Sequence, residues 1–357
     1  MKYLKKITLN NFRCYLQREF TFSQGLNIIL GNNASGKTSL MEAIYMIGMC
    51  KSYRTNSDSE VLLYNKDYYS LFSIINNNDK EEKIALLWSG GNKKVSIDGN
   101  QYKTLSKHLG YLNVVVFSPD DLKLVNGDPK YKRRFLDINI SQINPNYLKL
   151  LSDYNKILKE KNELLRNINY DGTNLSFNNE SLIKVYNNLL INKGKEIIKI
   201  RKEFLDDLNN YIYKAVKEIT SDKEVTRINY IPNVSELDIE NEYNKRFKND
   251  LFAQTSTCGP HRDDFEVSIN NQSAEGYASQ GQCRTASLAI KIALAKKILD
   301  IGKDVIVILD DVFGELDESR QEQLIKAINS GNQIFITTTS LKYLSNETVE
   351  KSNLIKL

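Results

Sequence analysis

The stretch GNNASGKTSL, residues 31–40, sets two glycines apart by four residues and follows the second with Lys37 and Thr38. The spacing G-x-x-x-x-G-K-T is that of a P-loop. Its glycines let backbone N–H groups turn toward phosphate oxygens, its lysine reaches the β/γ-phosphates, and its threonine ligates Mg²⁺. Gly31, Asn32, Asn33, Ala34, Ser35, Gly36, Lys37 and Thr38 are therefore the expected cradle, with Lys37 taking part in the chemistry. The motif carries this meaning only between a buried strand and a helix. LNIIL (26–30) is a short apolar run before it, and KTSLMEAIYMIG (37–48) behind it has apolar residues at helical spacing.

A P-loop needs a carboxylate on a neighbouring strand for the metal shell. VIVILDD (305–311) supplies an apolar strand ending in Asp310 and Asp311. Asp310 is expected to face the metal, and Asp311 to polarise the attacking water and accept its proton. Ahead of the helix before this strand stands ASQGQCRT (278–285). Ser279, Gln280, Gly281 and Gln282 open that helix, and a helix start presents free N–H groups and a positive dipole end to a γ-phosphate. Since Lys37 and its loop already hold the phosphates, this segment is expected to read a nucleotide bound to another subunit. Taken by itself it also reads as an ordinary N-cap turn.

At 357 residues, 41% hydrophobic and 26% charged, the chain can bury a large core and is expected to form two lobes. Cys14, Cys50, Cys258 and Cys283 lie far apart with no C-x-x-C pair, which suggests neither a zinc site nor a disulfide framework. No apolar run approaches the roughly 20 residues of a membrane helix, so a cytoplasmic protein with no membrane association is expected. A net charge of +5 permits anionic partners without demanding them.

The first 120 residues read as β-prone runs, KKITLNNF, REFTF, LNIIL, YYSLFSII, KIALLWS, KKVSIDG and NVVVF, with hairpin turns at GGN and DGN. From about 130 to 220 the periodicity becomes helical, and the polar stretch NINYDGTNLSFNNES (167–181) is expected to fold two helices into an antiparallel pair. After 250, DFEVSI, a helix over 282–300, DVIVILD, a helix over 318–329 and QIFITTT alternate as parallel βαβ units do. The expected architecture is an α/β ATPase lobe built from 1–122 and 251–357, with a helical lobe, 123–250, inserted.

P-loop, SQGQ, ILDD and GELD in this order, with a large insertion after the first, resemble the ABC-type ATPase head of the SMC group. NNFRCY (10–15), KSYRT (51–55), VVFSPDDLKLVNGDPKYKRRFLD (115–137), GPHRDDFE (259–266) and ILDDVFGELD (308–317) narrow the resemblance to the RecF family of bacterial recombination mediators. What this resemblance implies is an ATP- and Mg²⁺-dependent DNA-binding protein with slow, DNA-stimulated ATPase activity that dimerises around two nucleotides. It would act on gapped or single-stranded/double-stranded junction DNA, help load RecA together with RecO and RecR, and support the SOS response. An ATPase subunit of a membrane transporter is the rival. The absence of a Q-loop glutamine in FSPDD, Thr337–Thr339 in place of a switch histidine, and the GPHRDD segment speak against it.

Departures from the family pattern fall at three positions. Ala34 and Gly314 replace a glycine and a serine, and Cys283 stands where glutamine is common. Ala34 is tolerable only if its position does not require positive φ. For DNA, Lys51, Arg54, Arg133, Arg134 and Arg262 are the candidate phosphate contacts. KYKRR reads equally well as one solvated helix face, and His261 as a packed turn residue.

Overall fold

The computed structural model describes residues 1–102, 108–168, 175–220, 224–316, 318–328 and 331–357. In chain order the first elements are β1 (Lys2–Phe12), β2 (Tyr15–Thr21), β3 (Leu26–Leu30), α1 (Lys37–Met49), β4 (Tyr68–Asn77), β5 (Lys80–Ser89), β6 (Asn92–Ile97) and β7 (Asn100–Tyr102). Six of these strands form an antiparallel sheet ordered β2-β1-β4-β5-β6-β7. Three of its hairpins turn on residue pairs that both have positive φ: Asn78–Asp79 (49° and 65°), Gly90–Gly91 (56° and 82°) and Asp98–Gly99 (48° and 80°). Such turns match the right-handed twist of the strands they join. The last two are the turns expected from GGN and DGN.

The chain continues through β8 (Asn113–Phe117), α2 (Lys123–Asn126), α3 (Pro129–Ile143), α4 (Pro145–Asn167), α5 (Phe177–Thr220), β9 (Thr226–Ile231), α6 (Ile239–Lys245) and α7 (Phe247–Ala253). α4 and α5 run antiparallel. Leu165 shares a buried cluster with Ile183, Asp153 pairs with Lys193, and the Tyr147 hydroxyl accepts from Arg201, so contacts descend one helix as they climb the other. Part of the expected turn between them, 169–174, lies outside the described residues. Leu150, Tyr154, Ile198 and Leu205 are buried on the apolar faces of this pair.

Next come β10 (Asp264–Ile269), β11 (Gln272–Ser273) and α8 (Ala274–Tyr277). Here the structure departs from the sequence reading. DFEVSI does not join the parallel sheet. It pairs antiparallel with β9, from Asp264 opposite Ile231 to Ile269 opposite Thr226, in a three-stranded sheet ordered β11-β10-β9. Its burial alternates residue by residue, as expected of a strand covered on one face, whereas parallel strands are apolar on both. The helical unit therefore comprises 122–210 and 225–283, extending beyond the expected 123–250, and the other unit comprises 1–121, 211–224 and 284–357.

The last elements are α9 (Gln280–Asp300), β12 (Val305–Leu309), α10 (Glu318–Ile328), β13 (Gln333–Thr338), α11 (Asn346–Glu350) and β14 (Asn353–Lys356). The second sheet, all parallel, is ordered β14-β3-β13-β12-β8. VIVIL and QIFITT are buried along their whole length, and α1 is buried from Leu40 to Met49. Because every strand runs the same way, the ends of β3, β12 and β13 lie on one edge, where open α/β sheets bind ligands. The carboxylate strand is not the immediate neighbour of β3, because β13 lies between them.

Candidate nucleotide site

The P-loop leaves β3 with its backbone tied on both sides. The Gly31 N–H donates to the Thr338 carbonyl at 3.2 Å, and the Leu357 N–H donates to the Leu30 carbonyl at 2.9 Å. A Cβ on Gly31 would stand 2.5 Å from Ser35 Oγ. Gly36 caps α1 at φ 102°, and a Cβ there would meet the Tyr15 hydroxyl at 2.5 Å, which itself donates to the Gly36 carbonyl at 3.1 Å. Gly36 is thus required by its left-handed backbone and its neighbours, whereas at Gly31 the nearest atom is the end of a serine side chain that could turn away. Lys37 is 8% exposed, and its Nζ donates to the carbonyls of Gly31 (2.8 Å) and Asn32 (2.9 Å) across the loop mouth. Asn32, Asn33 and Ala34 are exposed.

Ala34 corrects an expectation. Its φ is 63°, so the position does adopt the left-handed conformation, and alanine holds it at a cost of about 1–2 kcal/mol that glycine would avoid.

At the end of β12, Asp310 is buried and receives three hydroxyls. Thr38 Oγ1 donates to Oδ1 at 3.2 Å, Thr337 Oγ1 to the same oxygen at 3.1 Å, and Tyr53 to Oδ2 at 2.6 Å. Burial pushes the carboxyl above its usual range, while the hydrogen bonds from Tyr53, Thr337 and Thr38 act in the opposite direction. Asp311 follows at φ 57°. Its N–H donates to Thr337 Oγ1 at 2.8 Å, and its side chain is exposed. Thr337, on the adjacent strand β13, thus touches both acids, donating to Asp310 and accepting from the Asp311 N–H.

Thr38 and Asp310 offer hard oxygen donors at hydrogen-bond distance from each other, a set that suits Mg²⁺. No group of three or more His, Cys, Asp or Glu able to hold a metal occurs among the described residues.

Behind α1 lies a network that sequence reasoning missed. Glu42 is fully buried and bound twice by Arg13, Nε to Oε2 at 2.7 Å and Nη2 to Oε1 at 2.6 Å. Ser52 Oγ donates to it at 2.5 Å, and Arg54 Nη1 lies 3.5 Å away. The signal was available: Glu42 is the lone acid in the apolar run of α1, and a charge at such a position demands a partner.

The Ser279 segment folds as a reciprocal cap. The Gln282 N–H donates to Ser279 Oγ (3.2 Å) and the Ser279 N–H to Gln282 Oε1 (2.9 Å), the pattern S-x-x-Q known as a capping box. Ser279 and Gln280 are exposed and Gly281 and Gln282 half-buried. The ordinary N-cap reading therefore describes the local geometry, and a phosphate would have to share or displace these bonds.

The DNA candidates differ in how committed they are. Lys51 is exposed, and the Arg54 side chain is 43% exposed. Arg133 donates to the Asp263 carbonyl at 2.6 Å, and burial, followed by the neighbouring Arg201, pulls its pKa down. Arg134 is half-buried. Arg262 is exposed, with Nε on the Ser256 carbonyl at 3.0 Å. GPHRDD is a structural node of the helical unit. The buried Arg201 binds Asp263 Oδ2 (2.8 Å), the Pro260 carbonyl (2.6 Å) and Asp137 (2.7 Å). His261 accepts at Nδ1 from Tyr154 (2.8 Å) and donates from Nε2 to the Ser256 carbonyl (3.1 Å).

A P-loop, an acid pair two strands away in a parallel sheet and an accompanying antiparallel sheet define an ABC-type ATPase head. The Smc head domain from Pyrococcus furiosus shares this fold, with a TM-score of 0.54 at 17% identity over 95% of this chain and 90% of that one. The family model of the RecF/RecN/SMC N terminal domain matches residues 3–355. The DNA replication and repair protein RecF of Bacillus mycoides is 35% identical over 364 residues, covering 99% of this chain and 96% of its own. A solved structure of the recombination mediator protein RecF-ATP in the RecFOR pathway superposes with a TM-score of 0.87 at 33% identity, over 96% of this chain and 94% of that one. The chain belongs to the RecF family.

Proposed function

We propose that this protein is an ATP-dependent DNA-binding switch of recombinational repair and replication restart. The observation that carries the reading is the corner formed by Thr38 and Asp310 at the end of a P-loop, in a chain that aligns with RecF proteins over almost its whole length. ATP and Mg²⁺ occupy the loop from Gly31 to Thr38. The Ser279–Gln282 helix start of a second copy closes over the γ-phosphate, so nucleotide drives dimerisation on gapped or junction DNA. Asp311 orients water, hydrolysis is slow, and loss of the γ-phosphate releases the DNA. RecR and RecO are the expected partners in loading RecA, with support of the SOS response as the consequence, and the site of action is the cytoplasm.

The experiment is light scattering with ATP and Mg²⁺ on wild type, Lys37→Ala and Ser279→Arg. Lys37→Ala should lose ATP binding and dimerisation together. Ser279→Arg removes a cap contributing about 1 kcal/mol and places a bulky cation at the helix start. It should still bind ATP as a monomer yet fail to dimerise. An ATP-dependent dimer of Ser279→Arg would refute the composite site.

A further inference from the structure

We infer that Tyr53 is a positioning residue for the metal-binding carboxylate of Asp310. The inference rests on the reading that Thr38 and Asp310 hold Mg²⁺. The two oxygens of Asp310 have different neighbours. Oδ1 receives the hydroxyls of Thr38 and Thr337 and so lies on the side of the expected metal. Among the described residues Oδ2 receives Tyr53, at 2.6 Å. The terminal torsion of an aspartate is broad, so a donor on the remote oxygen fixes which way the near oxygen points.

Tyr53 is well placed to hold still. Its ring packs edge-on against Tyr45 of α1, with centroids 5.3 Å apart and planes at 79°. Its chain neighbours are pinned, since Ser52 Oγ accepts the N–H groups of Arg54 (2.9 Å) and Thr55 (3.1 Å) while donating to Glu42 of the same helix. Glu42 is fixed in turn by the two bonds from Arg13. α1 begins with Lys37 and Thr38. One helix therefore carries the hydroxyl ligand directly and supports the carboxylate ligand through Tyr53, so the two metal donors keep their spacing. Partners of this kind, which touch the ligand and not the metal, commonly govern metal affinity.

Tyr53→Phe keeps the ring and removes the hydroxyl. The probe is Mn²⁺, followed by electron paramagnetic resonance as it binds the protein with AMP-PNP, with Asp310→Asn measured alongside. Tyr53→Phe should weaken Mn²⁺ binding by about 10-fold or more, with AMP-PNP affinity in EDTA unchanged. If Asp310→Asn loses Mn²⁺ and Tyr53→Phe stays within about two-fold of wild type, the positioning role is wrong while the metal site stands. If Asp310→Asn binds Mn²⁺ normally, the metal reading fails and takes this inference with it. A Tyr53→Phe protein that also loses metal-free nucleotide affinity would make Tyr53 a packing residue only.

Discussion

At Ala34, backbone conformation and side-chain identity disagree. The residue sits at φ 63°, in a conformation disfavoured by about 1–2 kcal/mol for a residue with a Cβ. Glycine would relieve that strain but lose more entropy on folding, about 0.4–1 kcal/mol. Ala34→Gly should therefore stabilise the protein by up to roughly 1.6 kcal/mol, and Ala34→Val, β-branched, should destabilise it. Urea unfolding midpoints of the three proteins decide the matter, and coincident midpoints would mean that the loop does not hold this conformation. A sequence displays a P-loop by its spacing, because phosphate chemistry constrains which residue stands where. It does not display φ, which is why Ala34 reads as a mild departure until the backbone is seen. Glu42 and Tyr53 were hidden differently, since their partners Arg13 and Asp310 lie 29 and 257 positions away.

Among the elements, hairpins and buried strands were legible because their causes are local. Gly90–Gly91 and Asp98–Gly99 specify two-residue turns whatever surrounds them, and VIVIL is apolar on both faces wherever it packs. DFEVSI was assigned to the wrong sheet because pairing with β9 is a tertiary fact, although its alternation, with Phe265, Val267 and Ile269 buried, already pointed to an antiparallel strand. The α4–α5 pair and the GPHRDD node also hold a titratable group. Burial pulls the His261 pKa down to about 4 from its ordinary 6.5. Above pH 6.5 the imidazole is neutral in both folded and unfolded chains. Below it the unfolded chain takes up a proton that the folded one refuses, so stability falls as pH drops from 6.5 toward 4, by up to about 1.4 kcal/mol per unit from this residue. His261→Asn does not titrate there. Urea midpoints at pH 7 and pH 5 should differ less for this variant than for wild type, and equal losses in both would remove His261 as a source of acid sensitivity.

For the whole molecule, motif order along the chain revealed the ATPase head, since P-loop, Ser279 segment and acid pair keep their sequence in spite of the insertion. The extent of the inserted unit was not legible, because 251–283 shares strand pairing with residues before it and no composition change marks Cys283. The DNA surface was the least legible part. Arg133 donates to Asp263, whereas Lys51 is exposed, and sequence treats the two alike. The central claim is that ATP holds the protein on DNA and hydrolysis lets it go, and Asp311→Asn tests it most directly. Asparagine adopts φ 57° as readily as aspartate, so the variant keeps the strand exit, Asp310 and the phosphate loop while removing the charge proposed to orient water. The measurement is the dissociation rate of gapped DNA with ATP and Mg²⁺, taken together with ATP turnover. The expected result is turnover reduced by about 10² to 10⁴-fold and DNA released more slowly than from wild type. Turnover lost with DNA leaving at the wild-type rate, or turnover left intact, would contradict it.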